Sequence, residues 1–145
     1  MTDLKPIETH WRGWRFRSRT EARWAVALTV AEIPFEYERQ GFDLPSGWYL
    51  PDFWLSDRKQ WLEIKGQEAN ARELKLAAEL AAAGEYVTIA VGAPDPAKIY
   101  ITLVEPDGSQ LETQLWLPDE AYRAARAARF DGRPPATPPS KARWW

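Results

Sequence analysis

The chain contains no cysteine and a single histidine, His10. The first absence removes disulfides, thiolate nucleophiles and cysteine-ligated zinc together. The second removes histidine metal clusters and, within one chain, a Ser-His-Asp triad. No apolar run approaches the roughly 18–20 residues of a membrane span, and the N-terminus carries no signal-peptide pattern. A soluble, cytoplasmic protein without a membrane partner is therefore expected. An excess of positive charge is missing too: 19 Lys and Arg against 21 Asp and Glu leave a net charge of −2, which argues against nucleic-acid binding by bulk charge. Carboxylate and lysine chemistry is what remains.

The 145 residues suffice for one domain with a real core and are too few for two ordinary ones. Charge is unevenly spread. Residues 1–23 hold six Lys and Arg against three acids, and residues 120–145 hold six against two, so the middle of the chain is acidic. Basic ends around an acidic centre suit a metal site reached by a polyanion held at its flanks.

The centre is dominated by Leu50-Pro51-Asp52-Phe53-Trp54-Leu55 and Trp61-Leu62-Glu63-Ile64-Lys65-Gly66, joined by the polar stretch Ser56-Asp57-Arg58-Lys59-Gln60. Two apolar runs so connected read as an antiparallel hairpin. Side chains alternate along a strand, which puts Glu63 and Lys65 on one face and Leu62 and Ile64 on the other. Setting Phe53 opposite Leu62 buries both and gathers Asp52, Glu63 and Lys65 at one strand end. Clustered carboxylates repel unless a cation lies between them, and hard oxygen ligands suit Mg²⁺, with Mn²⁺ as a substitute.

Pro51-Asp52 followed by Glu63-Ile64-Lys65 resembles the signature of the PD-(D/E)XK nuclease superfamily. Glu21, on a preceding helix, falls where that superfamily often places a further acid. The order of helix with Glu, strand, P-D strand, E-x-K-G strand, helix and strand extends the resemblance over about residues 15–92. Ile33-Pro34-Phe35-Glu36-Tyr37-Glu38, Leu50-Pro51-Asp52-Phe53 and Glu63-Ile64-Lys65-Gly66 are most similar to the phage endonuclease-I-type Holliday junction resolvases. The resemblance implies a restriction-endonuclease-like α/β fold, a mixed sheet flanked by helices. It also implies Mg²⁺-dependent hydrolysis of DNA to 5′-phosphate and 3′-hydroxyl products. It further implies a homodimer on branched or duplex DNA, in which a segment in the region of Gly41 to Gly47 passes between protomers, although the connector here is short.

By the chemistry of these groups, Asp52, Glu63 and the Ile64 carbonyl are the expected metal ligands, with Glu21 completing a second metal or a hydration shell. Lys65 is expected to orient or polarise the attacking water. Glu21 also has a local explanation, because Ser18-Arg19-Thr20-Glu21 reads as a capping box.

The rest of the chain divides around this centre. Residues 1–17 read as a basic, aromatic arm, with Arg12, Arg15 and Arg17 for phosphates and Trp11, Trp14 and Phe16 for bases or for packing on the body. Arg19 adds to it. Residues 18–130 read as one nuclease-like domain. A helix runs from Ser18 to about Glu32, and Gly41–Gly47 turns before Trp48-Tyr49-Leu50 re-enters the sheet. A helix over Glu68–Ala83 carries Lys75, either a phosphate contact or a solvated lysine. Strand Tyr86–Val91 lies parallel beside the Glu63 strand. A hairpin around Pro106-Asp107-Gly108 then extends the sheet. A last helix runs from Pro118 and Asp119 to about Phe130, carrying Arg123, Arg126 and Arg129 as a basic stripe. Residues 131–145 read as a Pro-rich flexible tail whose Trp144-Trp145 end is a candidate contact for a protein partner, a nucleic acid or the chain's own body.

The rival from another class is a nuclease-like fold without activity, used to bind DNA or protein. In it Asp52 caps a turn and Glu63 and Lys65 form a surface ladder. Among enzymes, mismatch or nicking, restriction-like and transposase-type endonucleases are the alternatives to a resolvase.

Overall fold

The computed structural model describes residues 7–103 and 109–130. The Pro106-Asp107-Gly108 turn and the tail with Trp144 and Trp145 lie outside them. A mixed sheet with helices on both faces accounts for most of the described chain.

The N-terminal segment is a small hairpin, β1 (Thr9–Trp11) and β2 (Trp14–Phe16). Arg12 and Gly13 both take positive φ, 49° and 86°, the backbone of a two-residue turn that matches strand twist. Phe16 is fully buried, and Trp11 and Trp14 pack against the same cluster. In the described part of this segment, residues 7–17, these aromatics pack on the body.

Helix α1 (Arg19–Val30) starts where Ser18 Oγ accepts the Glu21 N–H at 3.1 Å. It ends as Glu32 turns to φ 57° and the Ile33 N–H returns to the Leu28 carbonyl at 2.9 Å, ahead of Pro34. This closes the helix before proline would break it.

Strand β3 (Phe35–Tyr37) forms one sheet edge against β6 (Phe53–Leu55). Between them β4 (Phe42–Leu44) and β5 (Gly47–Tyr49) form a separate two-stranded hairpin rather than rejoining the sheet. Gly47 at φ 138° gives the turn a conformation that a side chain would strain.

The central hairpin is as expected: β6 pairs antiparallel with β7 (Gln60–Lys65), with Phe53 opposite Leu62. Helix α2 (Ala71–Ala82) then crosses to β8 (Tyr86–Val91), which lies parallel to β7. The sheet is completed by β9 (Tyr100–Leu103) and β10 (Gln110–Thr113), giving the order β10-β9-β8-β7-β6-β3.

The expected helix at Glu68–Ala83 begins three residues later because Asn70 caps it, its side chain accepting the Glu73 N–H at 2.8 Å. Helix α3 (Asp119–Ala127) stops short of Phe130. Arg129 therefore lies past the helix end, donating to the Ala127 and Ala128 carbonyls. Only Arg123 and Arg126 remain as a helical pair.

Two apolar clusters sandwich the sheet. One joins Trp24 and Leu28 of α1 and Tyr122 and Ala125 of α3 to Phe53, Leu62 and Ile64. The other joins Leu76 and Leu80 of α2 to Tyr49, Trp61 and Val87. Strand alternation then decides the placement of the charges: Leu62 and Ile64 face α1, while Trp61, Glu63 and Lys65 face α2. Arg23 fastens the two helices of the first layer, its guanidinium donating to the Ala125, Arg126 and Ala128 carbonyls at the end of α3. Trp24 donates from Nε1 to the Gly92 carbonyl at 2.9 Å, and the Gly92 N–H reaches the Lys65 carbonyl at 2.8 Å. The end of β7 is thereby held by both neighbouring elements.

Candidate active site

Asp52 stands just before β6 and Glu63 in the middle of β7, and both are buried. Each carboxyl secures the other strand's backbone. Asp52 Oδ2 accepts the Ile64 N–H at 2.7 Å, and Glu63 Oε1 accepts the Asp52 N–H at 3.1 Å. The two ladder positions beyond the last strand pair are thus bridged by side chains, which draws the carboxyls together.

Burial pushes the Asp52 carboxyl well above the usual carboxylate range, and the charges of Glu63 and Glu21 push it further. Glu63 is also raised by burial, though less, because Lys65 and a hydrogen bond from Asp52 favour its anion. Both carboxyls are thus held above the ordinary range, Asp52 the more strongly. Two acids in one dry recess cannot both ionise without a cation.

Lys65 supplies part of that charge. Its Nζ lies 3.2 Å from Glu63 Oε2 and also bonds Glu73 Oε2. Burial disfavours the ammonium, but the two carboxylates more than offset this and raise its pKa. Lys65 is therefore a fixed cation. Glu73 is the residue that sequence reasoning missed. It is the third residue of a capping box, its Oε1 accepting the Asn70 N–H at 2.9 Å while Oε2 takes Lys65. Asn70-Ala71-Arg72-Glu73 could have been read as a helix start, but its contact with Lys65 depends on how α2 packs.

Glu21 is buried in the first turn of α1, the helix that packs on the Leu62 and Ile64 face of the sheet. Tyr37 donates its hydroxyl to Glu21 Oε1, and Ser18 Oγ donates to Oε2 at 3.2 Å. The carboxylate returns to the capping hydroxyl and not, as a full capping box requires, to the Ser18 N–H. Burial raises its pKa against these hydrogen bonds. Its charge is felt at Asp52, yet among the described residues no three acidic or histidine side chains stand close enough to hold one ion together.

The donors that do meet are hard oxygens. Lys65 directs its carbonyl toward β8, where Gly92 donates to it, and successive strand carbonyls point to opposite sides. The Ile64 carbonyl accordingly faces the Asp52 side. Two carboxylates and a carbonyl suit Mg²⁺, which keeps several waters and takes one or two carboxylates. They do not suit zinc, which prefers nitrogen and sulfur ligands.

The candidate DNA-binding cations are dispersed. Arg15 pairs with Glu8, Arg17 with Glu38 at 2.7 Å, and Arg12 stacks on Trp11. Arg19, Lys75, Arg123 and Arg126 are exposed. If α3 meets a duplex backbone, replacing Arg123 and Arg126 together by alanine should lower affinity and reduce the slope of log K against log salt by about two. Fluorescence anisotropy at several salt concentrations measures this, and an unchanged slope removes α3 from the interface.

Comparison with protein-family models, curated proteins and solved structures gives no match to this chain. The functional reading rests on the site's own residues.

Proposed function

We propose that the chain is a Mg²⁺-dependent deoxyribonuclease that hydrolyses phosphodiester bonds, selective for branched DNA in the manner of a junction resolvase. The observation that carries this reading is the pair of buried carboxyls, Asp52 and Glu63, each bonded to the other strand's backbone and set beside a doubly paired lysine. A fold gains nothing in stability from two such acids, whereas a divalent cation would neutralise both.

Asp52, Glu63 and the Ile64 carbonyl would hold Mg²⁺, which supplies a lowered pKa for bound water and positive charge for the phosphate oxygens. The chain's own residues set the rest. Hydrogen bonds across the strand ends fix both carboxyls before any ligand arrives, so little reorganisation is needed. Lys65 stays an ammonium between Glu63 and Glu73, which suits stabilising the anionic phosphorus oxygens and excludes it as the base. Glu21, steadied by Tyr37 and Ser18, orients water at the edge of the site.

The test combines binding with cutting. Saturating Mg²⁺, at about 100 times its dissociation constant, should stabilise the fold by about 2.7 kcal/mol and raise Tm by about 5–10 °C. Labelled four-way junction should be cut in Mg²⁺ or Mn²⁺ and spared in EDTA, and Glu63→Ala should lose both responses. Paired nicks by a stable dimer would support the resolvase, and single nicks or duplex cutting the mismatch, restriction-like or transposase-type enzymes. A folded protein that shows neither effect is an inactive binding module.

A further inference from the structure

The hairpin β4–β5 carries a side chain that packing does not explain. Trp48 is 63% exposed, while its neighbour Tyr49 is buried against α2 and Trp61. Alternation along β5 turns the indole to the outer side. The ring is nonetheless seated. A Cβ built on Gly41 would come 2.0 Å from Trp48 Cζ2 and 2.5 Å from Cη2, so the six-membered ring lies directly on the glycine and leaves its other face to solvent.

The base of the hairpin is rigid. Phe42 meets Trp61 edge to face with ring centroids 5.5 Å apart, and Ser46 bonds Glu79 of α2 through both its N–H, at 3.0 Å, and its hydroxyl, at 2.6 Å. Arg72 of α2 donates to the Ser46 carbonyl at 3.0 Å and lies over Gly47. A guanidinium therefore borders the indole's turn. Asp43 is the cross-strand partner of Trp48.

From β5 the chain leads directly to Asp52. Trp48 stands four positions before Asp52, a span of at most about 14 Å, or about four nucleotides of stacked strand. Tyr49 is close enough for Glu63, Asp52 and Glu73, after burial, to push its phenol up. An open aromatic face beside an arginine is the pairing that takes a base and its backbone without reading sequence.

We propose that Trp48, seated on Gly41, is a stacking platform for an unpaired base of the DNA substrate, with Arg72 beside it for the backbone. The proposal rests on the DNA-cleavage reading and deepens it: the preferred substrate carries single-stranded character within a few nucleotides of the cut. A fully paired duplex has no base to offer and uses this surface little.

The experiment uses the full chain in EDTA, with branched and single-stranded oligonucleotides containing 2-aminopurine, followed by fluorescence and anisotropy. Wild type should quench the probe. Trp48→Ala should weaken branched-DNA binding about tenfold and abolish the quench, Trp48→Phe should retain most of both, and paired-duplex affinity should be unchanged. Gly41→Ala, which meets no positive φ but pushes the ring off its seat, should reduce the quench with Trp48 still present. Equal binding and quenching by wild type and Trp48→Ala overturns the proposal, even if the protein cuts DNA. Trp48-dependent quenching by a protein that cuts nothing in any metal upholds the platform and removes the cleavage reading. Absence of nucleic-acid binding by wild type overturns both and makes Trp48 a protein contact.

Discussion

Replacing Lys65 by alanine is expected to lower single-turnover cleavage of saturating DNA by about 10²–10³-fold while the Mg²⁺-induced rise in Tm persists. The split follows from geometry. Lys65 contacts Glu63 Oε2 and Glu73, but the ligand-holding frame is built from Asp52, Glu63 and the strand-end N–H groups, none of which needs the ammonium in place. Its loss leaves Glu63 without a cation, which strengthens the demand for a divalent ion. On the proposed reading the chemical step would lose a fixed positive charge for the phosphate oxygens. A rate within threefold of wild type would place Lys65 outside the reaction and return it to a structural ion pair.

The second large effect has the opposite sign on stability. Asp52→Asn should abolish cleavage and the response to Mg²⁺, yet stabilise the metal-free protein at pH 7 by about 0.5–2 kcal/mol. In the native state burial and the Glu63 and Glu21 charges hold the Asp52 carboxyl well above its unfolded value. The folded chain therefore binds more protons than the unfolded chain at intermediate pH. That contribution is fully present below the ordinary carboxylate range and is lost as pH rises through the raised native value. Wild type in EDTA should accordingly gain stability on acidification from neutral pH toward mildly acidic pH, and the asparagine variant should gain less. Urea denaturation at pH 7 and pH 5 measures both. A variant less stable than wild type at pH 7 would mean that the carboxylate is well satisfied without a cation.

Much of the central frame was legible because each signal was local or periodic. Alternation in Trp61-Leu62-Glu63-Ile64-Lys65, with Phe53 needing an apolar partner, determined the Phe53 to Leu62 register and with it the meeting of Asp52, Glu63 and Lys65. The apolar run after α2 sufficed for a parallel β8. What stayed hidden was set by packing between distant elements. Glu73 meets Lys65 only because α2 covers the charged face of β7. Glu21 takes the Tyr37 hydroxyl as its partner, a contact between α1 and β3 that its place in sequence does not encode. The separation of β4 and β5 from the sheet arises from the Gly47 turn and the seating of Phe42 and Tyr49 on α2. The early end of α3 reflects the Arg23 guanidinium on its terminal carbonyls, contributed from about a hundred positions upstream.

That same guanidinium bears on when the molecule can act. Arg23 belongs to the first helix made and Ala128 to the last described stretch, so the layer that holds Glu21 closes only when nearly all of the described chain has left the ribosome. Contacts of such long sequence separation form slowly, and domains assemble as units during synthesis. A nascent chain with β6 and β7 already paired would still lack the α3 side of its first layer. On the proposed reading, synthesis through α3 would precede any complete site.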